Sequence, residues 1–98
     1  MFDVLFSDSA ADEYAELRGF ERGKVEKAIE ENLVHQPDVP TRNRKPLPTL
    51  VPSFEHVPPV WELRVGGIRV FYDVDVASNT VTIRAIREKG RKTSGEIT

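Results

Sequence analysis

The 98-residue chain is 39% apolar, enough for one modest core and one domain spanning 1–98. It has no cysteine, which excludes a disulfide framework and a thiolate metal site. The net charge of −2 hides an asymmetry: residues 1–40 hold ten acids against four bases, a balance of −6, and residues 41–98 hold ten bases against six acids, a balance of +4. Mild overall acidity therefore does not exclude a polyanionic partner, because a local field depends on where the charges sit. The opening MFDVLFSD has no basic region ahead of a long apolar stretch, and no apolar run approaches the roughly 20 residues that span a bilayer. A soluble, unexported, cytoplasmic protein is the expectation.

Phe2, Val4 and Phe6 alternate with Asp3, Leu5 and Ser7, the period of a short strand that could lie at the edge or the centre of a sheet. Ser7, Asp8 and Ser9 then offer N-cap oxygens to a helix, with Asp12 and Glu13 placing negative charge in its first turn. Ala11, Tyr14, Ala15 and Arg18 share one helical face, and Gly19 and Gly23 bracket a break. A second helix carries Val25, Ala28, Ile29 and Leu33 at helical spacing until Pro37 stops it. All seven prolines fall between Pro37 and Pro59, so this stretch reads as a long, mostly irregular connection. It carries the basic cluster Arg42, Arg44 and Lys45, and apolar anchors at Leu47, Leu50, Val51, Phe54 and Val57.

From Trp61 to Arg87 the pattern is that of three antiparallel strands. Trp61, Leu63 and Val65 alternate with Glu62 and Arg64, and the pair Gly66–Gly67 supplies the positive φ values of a two-residue turn. The next strand sets Ile68, Val70, Tyr72, Val74 and Val76 against Arg69, Phe71, Asp73 and Asp75. After a turn at Ala77, Ser78 and Asn79, the last sets Val81, Ile83 and Ala85 against Thr82, Arg84 and Ile86. One sheet face is aliphatic and needs the two helices as cover, since an exposed apolar face of that size drives aggregation. The fold class is α+β, with an N-terminal strand and a two-helix hairpin on one face of an antiparallel sheet that ends in a three-stranded meander.

The other face collects Glu62, Arg64, Arg69, Phe71, Asp73, Arg84 and Ile86. His35 and His56 are isolated, and the glycines form neither GxxxxGK nor GxGxxG, so neither a metal nor a nucleotide cofactor is expected. No serine sits in a GxSxG elbow. Arginine presents donors in a fixed fork suited to phosphate, and an exposed Phe71 would offer a surface for base stacking. The same charges also fit a solvated face on which Arg64, Arg69 and Arg84 pair with Glu62 and Asp73 across strands.

The order of strand, helix pair, basic proline-bearing loop and meander, with WELRVGGIRVFYDVD at its centre, resembles the RelE/ParE superfamily of type II toxin–antitoxin toxins. The matching core residues are Leu63, Arg64, Gly67, Arg69, Val70, Tyr72 and Val74, and RNRKPL (42–47) and VTIRAI (81–86) also fit the RelE-like branch. That branch cleaves mRNA in the ribosomal A site by attack of the ribose 2′-hydroxyl on the adjacent phosphate, without a metal. The resemblance implies that Arg69 contacts the scissile phosphate, that Arg64 adds charge and that Glu62, where some members carry a basic residue, is a candidate general base. It places Arg42, Arg44 and Lys45 in a loop that meets RNA or ribosomal RNA, with Phe71, Arg84, Arg87, Lys89 and Arg91 completing the RNA-facing set.

Active members of that branch carry a tyrosine or histidine after the last strand. REKGRKTSGEIT (87–98) has neither, leaving Arg87, Lys89 or Arg91 to stand in for the charged part of that site. The superfamily also contains gyrase poisons, and a ParE-like inhibitor of DNA gyrase or an inactive antitoxin-binding relative are the alternatives. For each of these the resemblance implies a cognate antitoxin as partner in a toxin–antitoxin hetero-oligomer, with ribosome and mRNA as further partners of an endonuclease.

Overall fold

The computed structural model describes residues 1–88. The chain runs through β1 (Asp3–Phe6), α1 (Asp8–Ala15), α2 (Gly19–Asn32), β2 (Arg44–Leu47), β3 (Val60–Val65), β4 (Ile68–Asp75) and β5 (Thr80–Glu88). The strands form one sheet in the order β1-β5-β4-β3-β2, with β1 parallel to β5 and every other neighbour antiparallel. The N-terminal strand therefore takes an edge, and the helix pair provides the crossover that returns the chain to the opposite edge.

Ser7 starts α1 by accepting the Ala10 N–H on its side-chain oxygen at 3.2 Å. The helix is rotated from the expected face: Ala10 is buried and Ala11 and Ala15 are exposed, with Leu17 closing the contact just beyond the helix. Gly23 breaks nothing, for α2 runs through it, while Arg22 reaches back to the carbonyl of Leu17 across the kink between the helices. Val25 and Ile29 of α2, with Leu33 at its C-cap, are buried at the expected spacing against Leu63, Val65, Val70, Tyr72, Val81 and Ile83 of the sheet. At roughly 25 cal/mol per Å² of apolar surface removed from water, this layer contact is the main favourable term in the fold.

The β3–β4 turn is two residues long, but only Gly66 has a positive φ, +60°, so the pair of glycines is not used symmetrically. Neither glycine has a neighbour that an added Cβ would strike. Gly66→Ala should therefore cost about 1 kcal/mol in urea denaturation through backbone strain, with Gly67→Ala nearly neutral.

Two further features, both in the sheet, depart from the sequence reading. Arg44–Leu47 is a strand rather than irregular chain, pairing Lys45 with Glu62 and Leu47 with Val60. Four residues containing a proline carry no readable alternation, and Pro46 is tolerated because β2 lies at the sheet edge. Second, β5 contains a bulge. Phe71 pairs with Ala85 and Tyr72 with Ile83, so Arg84 is an extra residue. Beyond it the alternation inverts: Ala85 joins Val60 and Phe71 on the far face, and Ile86 joins the helix-covered core, the reverse of the expected assignment.

Tyr72 faces the core as expected and its hydroxyl donates to the Pro37 carbonyl at 2.7 Å, tying the exit of α2 to the middle of β4. Desolvation by burial raises the Tyr72 phenol above its ordinary value. An acid raised on folding keeps its proton while the unfolded chain loses it, so its stabilising contribution is present below about pH 10 and falls as pH rises beyond that. Tyr72→Phe should cost about 1 kcal/mol at neutral pH and make the decline above pH 10 shallower, read from denaturation midpoints across pH 7 to 11.

Candidate phosphate-binding face

The bulge in β5 has a direct consequence for the open face of the sheet. By restoring Arg87 to that side it sets Arg64, Arg69 and Arg87 in register on β3, β4 and β5, a single row across three adjacent strands. The neighbouring row is Lys45, Glu62, Phe71 and Ala85. Like charges directly opposite one another destabilise a sheet, so a row of arginines needs counter-charges.

Glu62 supplies the first. It is only 4% exposed, and its carboxylate lies 3.6 Å from Arg69 Nε, 3.7 Å from Arg64 Nε and 3.9 Å from Lys45 Nζ. Lys45 and Arg64 are largely exposed, whereas the Arg69 side chain retains 22% of its surface. The result is a carboxylate at the floor of a cup with three cationic walls. Glu13 supplies the second counter-charge, pairing with Arg87 from α1. The sequence reading placed Asp12 and Glu13 in the first turn of this helix, but α1 starts at Asp8, which takes the place that serves the helix dipole, and Glu13 lies beyond that turn and reaches β5 instead.

From Phe71 and Ala85 of the second row onward the face is covered. The connection from Pro48 to Pro59 folds back so that Leu50 and Phe54 pack on Val60, Phe71 and Ala85. Phe71 is 1% exposed and its ring meets that of Phe54 at 5.7 Å, which overturns the expectation of an open stacking surface for a base. The cover is fastened by Asp73, itself 3% exposed: its Oδ2 accepts the Val57 N–H at 2.8 Å and Arg84 Nε at 2.7 Å. Arg84 is thus engaged in holding the loop, as the cross-strand pairing alternative anticipated, rather than presented to a ligand.

Arg44 also has an internal role. Its Nε donates to the Val39 carbonyl at 2.8 Å and its guanidinium reaches the carbonyl of Asn32 at the C-terminal end of α2, where cation and helix dipole attract. It is buried on the helix-covered face, so its expected contact with RNA is corrected to a capping role. Arg42 is exposed in the preceding loop. Lys89 and Arg91 lie outside the described residues. The face thus brings together Glu62, Arg64, Arg69, Lys45 and Arg87, while Phe71 lies beside Glu62 but under the loop, Arg84 is tied to Asp73 and Arg44 lies on the opposite face. No helix among the described residues is long and apolar enough to cross a membrane.

Comparison with known proteins agrees with this architecture. A family model described as ParE toxin of type II toxin–antitoxin system, parDE, matches residues 4–92. Among solved structures, the RelBE2 toxin–antitoxin complex of Mycobacterium tuberculosis is similar at 22% identity and a TM-score of 0.71, over 90% of this chain and 98% of that one. The isolated RelE toxin of E. coli is similar at 20% identity and a TM-score of 0.66, over 94% and 88% of the two chains. The archaeal RelE–RelB complex from Pyrococcus horikoshii follows the same fold at 15% identity and a TM-score of 0.63, over 93% and 98%. No curated protein matches the chain at a significant level. With the model covering nearly all of its length and the sheet, helix pair and meander in the RelE arrangement, the chain belongs to the ParE toxin family of the RelE/ParE superfamily, the toxins of type II toxin–antitoxin systems.

Proposed function

We propose that this toxin arrests translation by cutting mRNA on the ribosome. The observation that carries the reading is the row Arg64–Arg69–Arg87 beside a buried carboxylate and a lysine. In the reaction the 2′-oxygen forms a bond to phosphorus, the bond to the 5′-oxygen breaks, and the products are a 2′,3′-cyclic phosphate and a 5′-hydroxyl. Glu62 receives the 2′-hydroxyl proton, and Arg69 and Arg64 donate to the non-bridging oxygens as charge gathers there. Lys45, exposed and 3.9 Å from Glu62, protonates the leaving 5′-oxygen and is restored by the proton on Glu62, so the pair ends the turnover as it began.

With Phe71 covered, the stacking surface it would have given a base is withdrawn, and what the face presents is charge for a phosphate. On this reading the ribosome orients the substrate. The antitoxin partner implied by the family would neutralise the toxin by covering this basic face.

A second reading, inhibition of DNA gyrase without cleavage, is favoured by the parDE description of the matching family. One experiment separates the two. Purified protein is added to a translation reaction with a defined mRNA, with and without ribosomes, and 5′ ends are mapped by primer extension. New ends at A-site codons only when ribosomes are present are expected; intact mRNA from folded protein, with inhibition in a supercoiling assay, would overturn the cleavage reading in favour of the second.

A further inference from the structure

Arg69 and Arg87 face one another across β4 and β5. Their charges are offset by two different carboxylates: Arg69 shares Glu62 with Arg64 and Lys45, and the one serving Arg87 comes from a helix. One oxygen of Glu13 accepts the Ile86 N–H at 2.8 Å, and the other is paired with the Arg87 guanidinium. The backbone bond fastens the Glu13 carboxylate to the strand edge next to Arg87, where β1 has already ended and β5 would otherwise have a free donor. On its other side Arg87 lies over the Phe54 ring at 5.9 Å. A long side chain that would otherwise sample many rotamers is thereby held from two directions before any ligand arrives.

We propose that Glu13 is a positioning residue that holds Arg87 level with Arg69, so that the two guanidinium groups bracket one phosphate of the RNA. A guanidinium carries five N–H donors, and its pairing with Glu13 leaves donors for the phosphate. Identifying the phosphate as that of a cleaved mRNA rests on the proposed function; the coupling of Glu13 to Arg87 can be tested separately. The signs are opposed. Removing the Glu13 charge makes the face more basic and, by attraction alone, tightens RNA binding, whereas losing the hold on Arg87 slows the reaction.

Two measurements on the full chain decide it. In the first, arginine side-chain NMR follows titration with an RNA trinucleotide made uncleavable by a 2′-deoxy substitution. In the parent, Arg69 and Arg87 are expected to respond along one saturation curve. In Glu13→Gln, whose amide oxygen still accepts the Ile86 N–H, the Arg87 response should fall severalfold while that of Arg69 persists. An Arg87 that ignores RNA in the parent, or responds equally in the variant, overturns the proposal. In the second, single-turnover cleavage on ribosomes should slow about tenfold in Glu13→Gln with half-saturating toxin unchanged or lower. Adding Glu13→Gln to Arg87→Ala should slow it no further, and additive losses overturn the coupling. If the parent does not cut but its Arg87 response depends on Glu13, the cleavage reading fails and the positioning stands.

Discussion

Arg69→Ala is expected to abolish growth arrest on induction in cells while leaving the fold in place. Arg69 occupies the middle of the row, with Arg64 opposite it on one side and Arg87 on the other, and its Nε lies 3.6 Å from Glu62. Removing a single donor aimed at developing charge typically costs about 10²- to 10³-fold in rate, enough to take a toxin below the level that stops growth. The structural cost is small by comparison. Glu62 is buried, but it keeps Arg64 and Lys45 as partners at 3.7 and 3.9 Å, so its charge is not left uncompensated and losing one long contact of three costs about 1 kcal/mol. Growth curves with matched protein levels, together with thermal denaturation, check both halves. A variant that arrests growth as strongly as the parent would sink the assignment of Arg69 to the site.

Asp73→Ala should be the most damaging single change to stability on the open face. The carboxylate is buried and binds both the Val57 N–H and Arg84 Nε, so its loss leaves a largely buried guanidinium and a loop amide without their acceptor. Removing one partner of a buried ion pair costs about 3–5 kcal/mol. The lower end applies because the Arg84 side chain keeps 17% exposure and Glu55 lies 4.0 Å away. Against the roughly 5–15 kcal/mol total of an ordinary domain, about 3 kcal/mol is a large fraction, equivalent to a fall of more than about 10 °C in Tm. Hydrogen exchange should localise the effect, with faster exchange at Val57 and around Phe54. Unchanged protection there would show that the apolar contacts of Leu50 and Phe54 hold the loop without Asp73.

The meander and its two unlike faces were legible because residues two apart on a strand share a side, a rule that needs no tertiary information. WELRV and the strand from Ile68 therefore mark Glu62, Arg64 and Arg69 as companions on one face, and the structure joins them within 4 Å. The buried face of α2 was equally local, being set by Val25, Ile29 and Leu33 at helical spacing. In α1 eight residues rich in small and charged side chains left the face ambiguous by one position, and contact with β5 chose Ala10.

What the chain by itself determined is the order and kind of its longer elements, the aliphatic side that must be covered and the arginines beside Glu62, all consequences of short-range periodicity and of the insolubility of an exposed apolar sheet. Tertiary structure alone decided the roles that depend on partners far away in sequence. The bulge at Arg84 brought Arg87 opposite Arg69, a shift no alternation rule contains. The proline-bearing connection, whose apolar anchors were readable but not what they pack on, covered Phe71 with Leu50 and Phe54. Arg44 was drawn to the carbonyls at the end of α2, and Glu13 to the edge of β5, 73 residues away. A charged side chain takes whichever counter-charge or unsatisfied backbone group the fold leaves within reach, and that neighbour does not exist until the sheet and helices have packed.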